Sequence, residues 1–419
     1  MDRDLLRQIA GKYETPSYIF HIDELKIRIA MIREILGGKA SLCYAMKANP
    51  FLVKPLKDVV DKYEVCSPGE FGICEMCQIP MEQIVLSGVY KEEKDVAHVM
   101  RNYGDKGTYT IESASHLELL EQCACKEGIR IRALIRIRAL IRVTSGNQFG
   151  MDEAEICRII ERRNEYSHVN IIGLQHYSGT QKKKLAKLKK ELAHLDELIA
   201  MLKEAYGYEA EELEYGPGFY VPYFSTDEEV DDEAMLKEFA GFLSELRFQG
   251  KITLEIGRYL AAYCGCYLTA IVDQKVNMGQ KYCIVDGGIH HLTYFGQAMA
   301  MKHPHYRQYH EEEGRYEEVS VDKGSKQEDI SQKDVTEWNV CGSLCTVNDV
   351  IVKNLPLQEA KIGDILVFER TGAYSVTEGM YLFLSRDLPQ ILFYSKSEGI
   401  KVARRRRSTD EINCIEAEQ

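Results

Sequence analysis

Residues 39–79 read KASLCYAMKANPFLVKPLKDVVDKYEVCSPGEFGICEMCQI. Short apolar runs, SLCYA and YEVCS, alternate here with stretches of helical character, PFLVKPLKDVVDKY and PGEFGICEMCQI, across polar turns. Strands separated by helices pair in parallel, because each crossover returns the chain to the same end of the sheet. The alternation continues through QIVLSG (83–88), VNIIGLQHYSG (169–179), the long amphipathic KKKLAKLKKELAHLDELIAMLKEAYG (182–207), EELEYGPG (211–218) and KITLEIG (251–257). The number of such units up to residue 260 suits a closed β/α barrel of about eight strands. The lysines that open the long helix read as a solvated face.

Beyond EIGR (255–258) the texture changes to strands and turns without long helices: QKYCIVDGG (280–288), WNVCGSLC (338–345), DVIVKNLP (349–356), DILVFERTGAYS (364–375) and PQILFYS (389–395). The expected fold class is therefore α/β, a barrel followed by a C-terminal β domain. The division expected is 1–24 as an N-terminal segment joining the β domain, 25–262 as the barrel, 263–400 as the β domain and 401–419 as a tail. Residues 310–336, HEEEGRYEEVSVDKGSKQEDISQKDVT, are charged and poor in large apolar groups, which predicts a mobile surface loop.

The segment IRALIR occurs at 131–136 and again at 137–142. A strand of about six residues needs only one copy. Six is even, so either copy presents the same faces. The second copy, next to VTSGNQFG, is expected to fill the strand and to bring Arg142 into the barrel.

A chain of 419 residues with 45% hydrophobic content supports a large core and two domains. A net charge of -12 argues against nucleic acid as a ligand, since no basic field draws phosphates in. The first twenty residues lack an apolar core, and no apolar run is long enough to span a bilayer, which predicts a cytoplasmic protein with no membrane partner. Thirteen irregularly spaced cysteines fit a reduced interior better than a disulfide scaffold. CEMC (74–77) has zinc-type spacing but no matching second knuckle, so no metal site is expected.

Lys47, in CYAMKANP, points one lysine of an apolar strand towards the interior. A buried ammonium must lose its charge, find a partner or be modified; a lysine snorkelling from a strand end is the plainer alternative. Polar residues at other strand ends bear on the choice, because a barrel brings those ends together. YGPGF supplies Gly216 and Gly218, where missing Cβ atoms let backbone N–H groups approach a phosphate. EIGR places Glu255 and Arg258 at the end of a strand.

Together these motifs resemble the fold-type III pyridoxal-phosphate (PLP) decarboxylases, which act on diaminopimelate, ornithine and arginine on an alanine-racemase-like barrel. YAMKAN is similar to the family's lysine motif, EVCSPGEF to its next strand and helix, YGPGF to its phosphate loop, EIGR to Glu-Pro-Gly-Arg, CGSLCTVND to Gly-Pro-x-Cys, and GAYS to the late Gly-Ala-Tyr. The six occur in family order over most of the chain. The resemblance implies that Lys47 binds PLP as a Schiff base, and that Glu255 pairs with the pyridine nitrogen. It further implies that Gly216, Gly218, Thr180 and Arg258 hold the phosphate, with Tyr374 near it. Cys345 of a partner subunit is implied as the acid that protonates the α-carbon, so the working unit is a homodimer.

Three departures bear on the substrate. Aligning GLQHYSGTQ by Gly173 and Gly179 puts Tyr177, not His176, where the family has its stacking histidine; either ring is a candidate. Thr346 replaces the acidic residue that relatives use for a distal amine. VDGGIHHLTYFG lacks the Arg-Pro of diaminopimelate decarboxylases and presents Asp286, His290 and His291 instead, which makes His290, with Thr346 and Tyr374, a candidate for substrate contact. The implied activity is amino-acid decarboxylation, on a free amino acid or on an aminoacyl group tethered to a carrier protein. The alternatives are a racemase or epimerase on the same fold and a non-catalytic regulatory homologue.

Overall fold

The computed structural model describes residues 3–137, 148–312, 315–319 and 335–415. The chain divides into two compact units, one of Lys26–Val221 and Val230–Leu260, the other of Met1–Leu25, Pro222–Glu229 and Ala261–Gln419. Strand β1 (Ser17–His21) belongs to the second unit.

The first unit is a closed barrel of eight parallel strands in sequence order. They are β2 (Ser41–Ala45), β3 (Lys62–Val65), β4 (Ile84–Leu86), β5 (Thr108–Ile111), β6 (Ile131–Ile137), β7 (Val169–Tyr177), β8 (Glu212–Gly216) and β9 (Lys251–Ile256), with β9 returning to pair with β2. Crossover helices start and stop at local signals. Ser67 caps Pro68–Met76 by accepting from Glu70 N at 3.2 Å, and Ser113 caps Ala114–Glu127 by accepting from His116 N at 3.2 Å. Gly128 and Gly207 end two helices in the left-handed region.

The expected helix PFLVKPLKDVVDKY is instead a 3-10 turn, Pro50–Leu52, followed by further turns. Pro55 in its middle removes a donor and blocks a continuous helix. The duplicated tract resolves the other way from expectation as well. The first copy, with Ile137, makes β6, pairing with β5 and β7, and Arg136 is buried. Arg142 lies outside the described residues.

The second unit is built on a ten-stranded sheet. Its strands after β1 are β10 (Gly265–Asn277), β11 (Gln280–Val285), β12 (Tyr306–Glu312), β13 (Arg315–Val319), β14 (Val335–Cys341), β15 (Val350–Gln358), β16 (Ile365–Glu369), β17 (Gln390–Ser395) and β18 (Gly399–Arg404). The N-terminal strand lies between β10 and β17. Helix Arg3–Lys12 buries Leu5, Leu6 and Ile9 against Ile19, Leu268, Val367 and Leu392, which ties the first residues into this core.

Three further expectations change here. The charged tract 310–336 contains the end of β12, all of β13 and the start of β14, so only residues 313–314 and 320–334 lie outside the described chain. His310 and Glu318 of this tract are paired, His310 Nδ1 lying 2.8 Å from Asp364 Oδ1 and Glu318 Oε2 3.5 Å from Arg3 Nε, and Gln308, just before it on β12, donates to Gln358 O at 2.9 Å. The tail enters the sheet as β18, through a pairing with β17 that local composition does not reveal. Pro222–Glu229 joins the second unit, where Arg370 Nη2 meets Glu229 Oε1 at 2.7 Å and the Phe224 and Tyr294 rings pack at 6.0 Å. Among the described residues no helix is long and apolar enough to cross a membrane.

Candidate active site

Polar residues recur at every second position along the barrel strands, where side chains alternate between the interior and the helices. Lys62 and Glu64 on β3, Gln175 and Tyr177 on β7, Glu212 and Glu214 on β8, and Thr253 and Glu255 on β9 follow this spacing. Near the strand starts, Lys62 Nζ lies 2.5 Å from Glu212 Oε1, and Thr253 donates to the same oxygen at 2.7 Å. A charge buried at that depth persists only when paired.

Lys47 stands on the 3-10 turn Met46–Ala48 that ends β2. Its Nζ donates to Glu64 Oε2, lies 3.2 Å from Glu255 Oε1, and lies 3.8 Å from Cys66 Sγ. Burial works to raise the Glu64 carboxyl. The Lys47 ammonium and hydrogen bonds from neighbouring groups, including Lys47 and Cys66, override it and hold Glu64 at about 2. Burial first, and the charge of Glu64 second, push Glu255 up to about 7. One buried carboxyl thus ionises against the lysine, and a second beside it holds its proton close to neutrality. Such opposed carboxyls mark places where protons are handled.

Beside this group, Arg136 Nη1 donates to Glu112 Oε1 at 2.8 Å, and Glu112 Oε2 accepts from Gly150 N at 3.2 Å. The arginine expected from the repeat is therefore present six residues earlier.

Tyr177 faces inward and His176 does not. The Tyr177 ring lies beside Gly216, where a Cβ would approach it to 2.6 Å, and the Tyr177 hydroxyl feels Lys47, Glu255, Thr180 and Arg258. His176 is 1% exposed and stacks on Tyr215, with ring centroids 6.1 Å apart and planes 3° apart. Tyr215 in turn stacks on Phe239 and donates to Glu191 on helix Leu185–Tyr206 at 2.7 Å. The expectation that His176 touches a cofactor is corrected: strand alternation turns it towards the helices, where burial lowers it to about 4.

Gly216 and Gly218 are glycines for different reasons. Gly216 leaves room for the Tyr177 ring. Gly218 sits at φ +62°, and a Cβ there would lie 2.0 Å from Gly179 O. The two loops cross at that point, with Lys182 N donating to Gly218 O at 2.9 Å, and Arg258 Nε meets Thr180 Oγ1 at 3.3 Å. Backbone amides, a hydroxyl and a guanidinium are thereby gathered, a donor set suited to a phosphate.

The second unit holds the remaining candidates. Cys345 is exposed on the turn between β14 and β15, and Asp349 fixes that turn by accepting from Leu344 N at 2.7 Å and Ile289 N at 2.9 Å. Thr346 is half-buried beside it, and Tyr374 is half-buried at φ 66°. His290 is corrected as a substrate contact: it is 1% exposed, its ring packs 3.8 Å from His291, and Gly379 covers its backbone. Burial lowers it to about 4, so it carries no charge for a carboxylate.

Glu64, Glu112, Arg136, Gln175 and Glu214 were not singled out from the sequence. The signal for most of them is the same, a polar residue two positions from another on a strand that ends at the site.

The family model described as "Pyridoxal-dependent decarboxylase, pyridoxal binding domain" matches residues 22–262. The L-glutamyl-[BtrI acyl-carrier protein] decarboxylase of Niallia circulans is 26% identical over 431 residues, covering 98% of this chain and 96% of its own. The diaminopimelate decarboxylase of Aquifex aeolicus is 23% identical over 418 residues, 97% of this chain and 93% of its own. Among solved structures, the diaminopimelate decarboxylase of M. jannaschii in complex with L-lysine superimposes with a TM-score of 0.84 at 21% identity, covering 99% of this chain and 94% of that one, a likeness of fold.

Proposed function

The chain belongs to the pyridoxal-dependent decarboxylase family and is a PLP-dependent amino-acid decarboxylase, and from that premise we propose which residues carry the reaction and what they act on. The residues present fit PLP. Gly216 and Gly218 let the Tyr177 ring and the Gly179–Thr180 loop close onto their backbone, Arg258 and Thr180 converge on the same loops, and a lysine amine meets two buried carboxyls at the barrel mouth. When bound, the cofactor supplies an electron-poor ring that takes up the electron pair left as carbon dioxide departs.

The chain's own residues do the rest. Lys47 is the amine that anchors the cofactor, and the carboxylate of Glu64 holds its proton until the amine is needed. Glu255 would pair with the ring nitrogen. Tyr177 would supply a flat surface for the ring, Gly216, Gly218, Thr180 and Arg258 would hold the phosphate, and the resemblance of GAYS to the family's late Gly-Ala-Tyr makes Tyr374 a further candidate for it. Cys345 Sγ delivers a proton to the substrate's α-carbon in the site of a partner subunit, which makes the protein a homodimer with shared sites. Exposure of Cys345 on a turn held by Asp349 supports this reading, since a buried thiol reaches no second chain. The single observation that carries the proposal is Lys47 held between Glu64 and Glu255.

Two observations favour a substrate without a distal charge, an aminoacyl group tethered to a carrier protein. Thr346 offers only a hydroxyl where relatives place a carboxylate. In the region that lacks Arg-Pro, Tyr294 is buried and donates to Glu369 O at 2.6 Å. One of the relatives that match over nearly the full length of both chains is named for a carrier-bound glutamyl group. None of the thirteen cysteines forms a disulfide, which supports a cytoplasmic location.

The test is carbon dioxide release from a panel of L- and D-amino acids and of pantetheine thioesters made through a side-chain carboxyl, such as that of glutamate, so that the α-carboxylate stays free, with PLP added and Lys47→Ala as the blank. Lysine-dependent release from these thioesters alone establishes the tethered substrate. Release from a free amino acid names that substrate and overturns the tethered reading. Exchange of the α-hydrogen without carbon dioxide overturns decarboxylation in favour of racemisation.

A further inference from the structure

Gln175 and Glu214 are Cα partners on adjacent strands directly behind Glu255, and both are 0% exposed. Gln175 Nε2 donates to Glu255 Oε2 at 2.9 Å and reaches Glu214 Oε1 at 3.5 Å. A carboxamide nitrogen carries two hydrogens, so one side chain serves both carboxyls. On the far side of each group a polar atom is buried with no hydrogen-bond partner, Gln175 Oε1 and Glu214 Oε2.

The charges facing this cluster decide which carboxyl ionises. Lys47, from the end of β2, contacts Glu64 and Glu255, and Lys62 on β3 contacts Glu212. Cys43 on β2 and Arg136 on β6 face the same interior. Among the described residues no cation lies within ion-pair distance of Glu214. Carboxyls packed this closely cannot all be charged, and the one without a cation keeps its proton.

We propose that Gln175 is a positioning residue for Glu255: its amide pins Oε2, presents Oε1 to the site, and ties Glu255 to a Glu214 that stands as the neutral acid. Glu255 is then the carboxyl that ionises when a cationic ring nitrogen meets it. Burial, which drives the Glu214 carboxyl well above its ordinary value, acts in the same direction. A charged Glu214 in that place would oppose ionisation of Glu255 by like-charge repulsion. The inference rests on Glu255 being the partner of the cofactor nitrogen.

The experiment uses the holoenzyme loaded with 15N-pyridine-labelled PLP, following the nitrogen chemical shift against pH in wild type, Gln175→Met, Glu214→Gln and Glu255→Gln, each checked for folding by circular dichroism. Gln175→Met removes a hydrogen bond to a charged carboxylate, so the midpoint at which the nitrogen loses its proton falls by about one pH unit or more. Glu214→Gln, a neutral isostere of a neutral acid, leaves that midpoint in place. A wild-type midpoint in Gln175→Met overturns the proposal, as does a shift in Glu214→Gln equal to that of Gln175→Met. An unchanged midpoint in Glu255→Gln removes the premise and the proposal together, which separates the two failures. A second readout needs no cofactor: the infrared acid-carbonyl band of 13C-glutamate-labelled apoprotein at pH 8 is expected in wild type and absent from Glu214→Gln. Absence of the band from wild type overturns the neutral Glu214.

Discussion

Lys47 Nζ lies 3.2 Å from Glu255 Oε1 and closer still to Glu64, so one ammonium bridges two carboxyls brought together from β3 and β9. Replacing Lys47 by Ala is expected to abolish the PLP adduct trapped by borohydride, and to leave the two carboxyls sharing a proton. A trapped adduct of normal stoichiometry in Lys47→Ala, located by peptide mass spectrometry at another lysine, would refute the assignment. Glu255→Gln keeps the shape and removes the charge; its kcat is expected to fall roughly 10²- to 10⁴-fold.

The opposite facing of Tyr177 and His176 separates two effects. Tyr177→Ala is expected to weaken PLP binding by roughly 2- to 10-fold, the range of one aromatic contact, with little change in melting temperature. His176→Ala is expected to lower the melting temperature, because it removes the buried stack on Tyr215, while the dissociation constant for PLP stays near wild type. Fluorescence titration with PLP and thermal melts read the two quantities, and a reversed pattern would show that the histidine lines the site.

Arg136 and Glu112 form an ion pair whose side chains are 9% and 3% exposed. Removing one partner strands the other, so Arg136→Met alone is expected to destabilise the fold by about 3–5 kcal/mol in urea. Arg136→Met with Glu112→Leu is expected to be less destabilised than either single variant. Additive losses would mean that the two groups do not depend on each other.

The two carboxyls beside Lys47 give the apoprotein opposed pH limbs. Glu64 is held at about 2 against an ordinary 4.5, so its contribution is present above 4.5 and is lost as pH falls towards 2. Glu255 is raised to about 7 from 4.5, so the folded chain binds more protons than the unfolded one between those values, and stability declines as pH rises through them. The decline from Glu255 is at most about 3 kcal/mol. Urea unfolding from pH 4.5 to 7.5 is expected to show it in wild type and a flatter profile in Glu255→Gln; identical slopes would place the raised group elsewhere.

A site shared between subunits predicts complementation. Lys47→Ala and Cys345→Ala are each expected to be inactive in decarboxylation. Mixed after mild dissociation, they are expected to recover up to about a quarter of wild-type activity, because random pairing makes half the dimers mixed and each mixed dimer holds one intact site. No recovery, with mixed dimers demonstrated by native mass spectrometry, would place both groups within one chain.

Much of this was legible in the chain itself. Alternation of apolar runs and helical stretches specifies a parallel barrel, because a helix between strands forces parallel return, and the ordered motifs around Lys47, Gly216, Gly218, Glu255 and Arg258 point to the cofactor. What local sequence could not carry were the choices between equivalents. Either copy of IRALIR satisfies the same alternation, and only pairing with β5 and β7 selected the first, placing Arg136 against Glu112. His176 and Tyr177 are adjacent rings, and the register of β7 against β8 decided which one faces in. The charged tract and the tail became strands through partners far away in sequence. Sequence by itself determined the alternation of the barrel strands with their crossovers and the chemical groups at the strand ends, since these depend on residue identity and short-range spacing. Tertiary structure alone decided which carboxyl meets which cation, since burial and long-range strand register set those distances and, through them, where each proton resides.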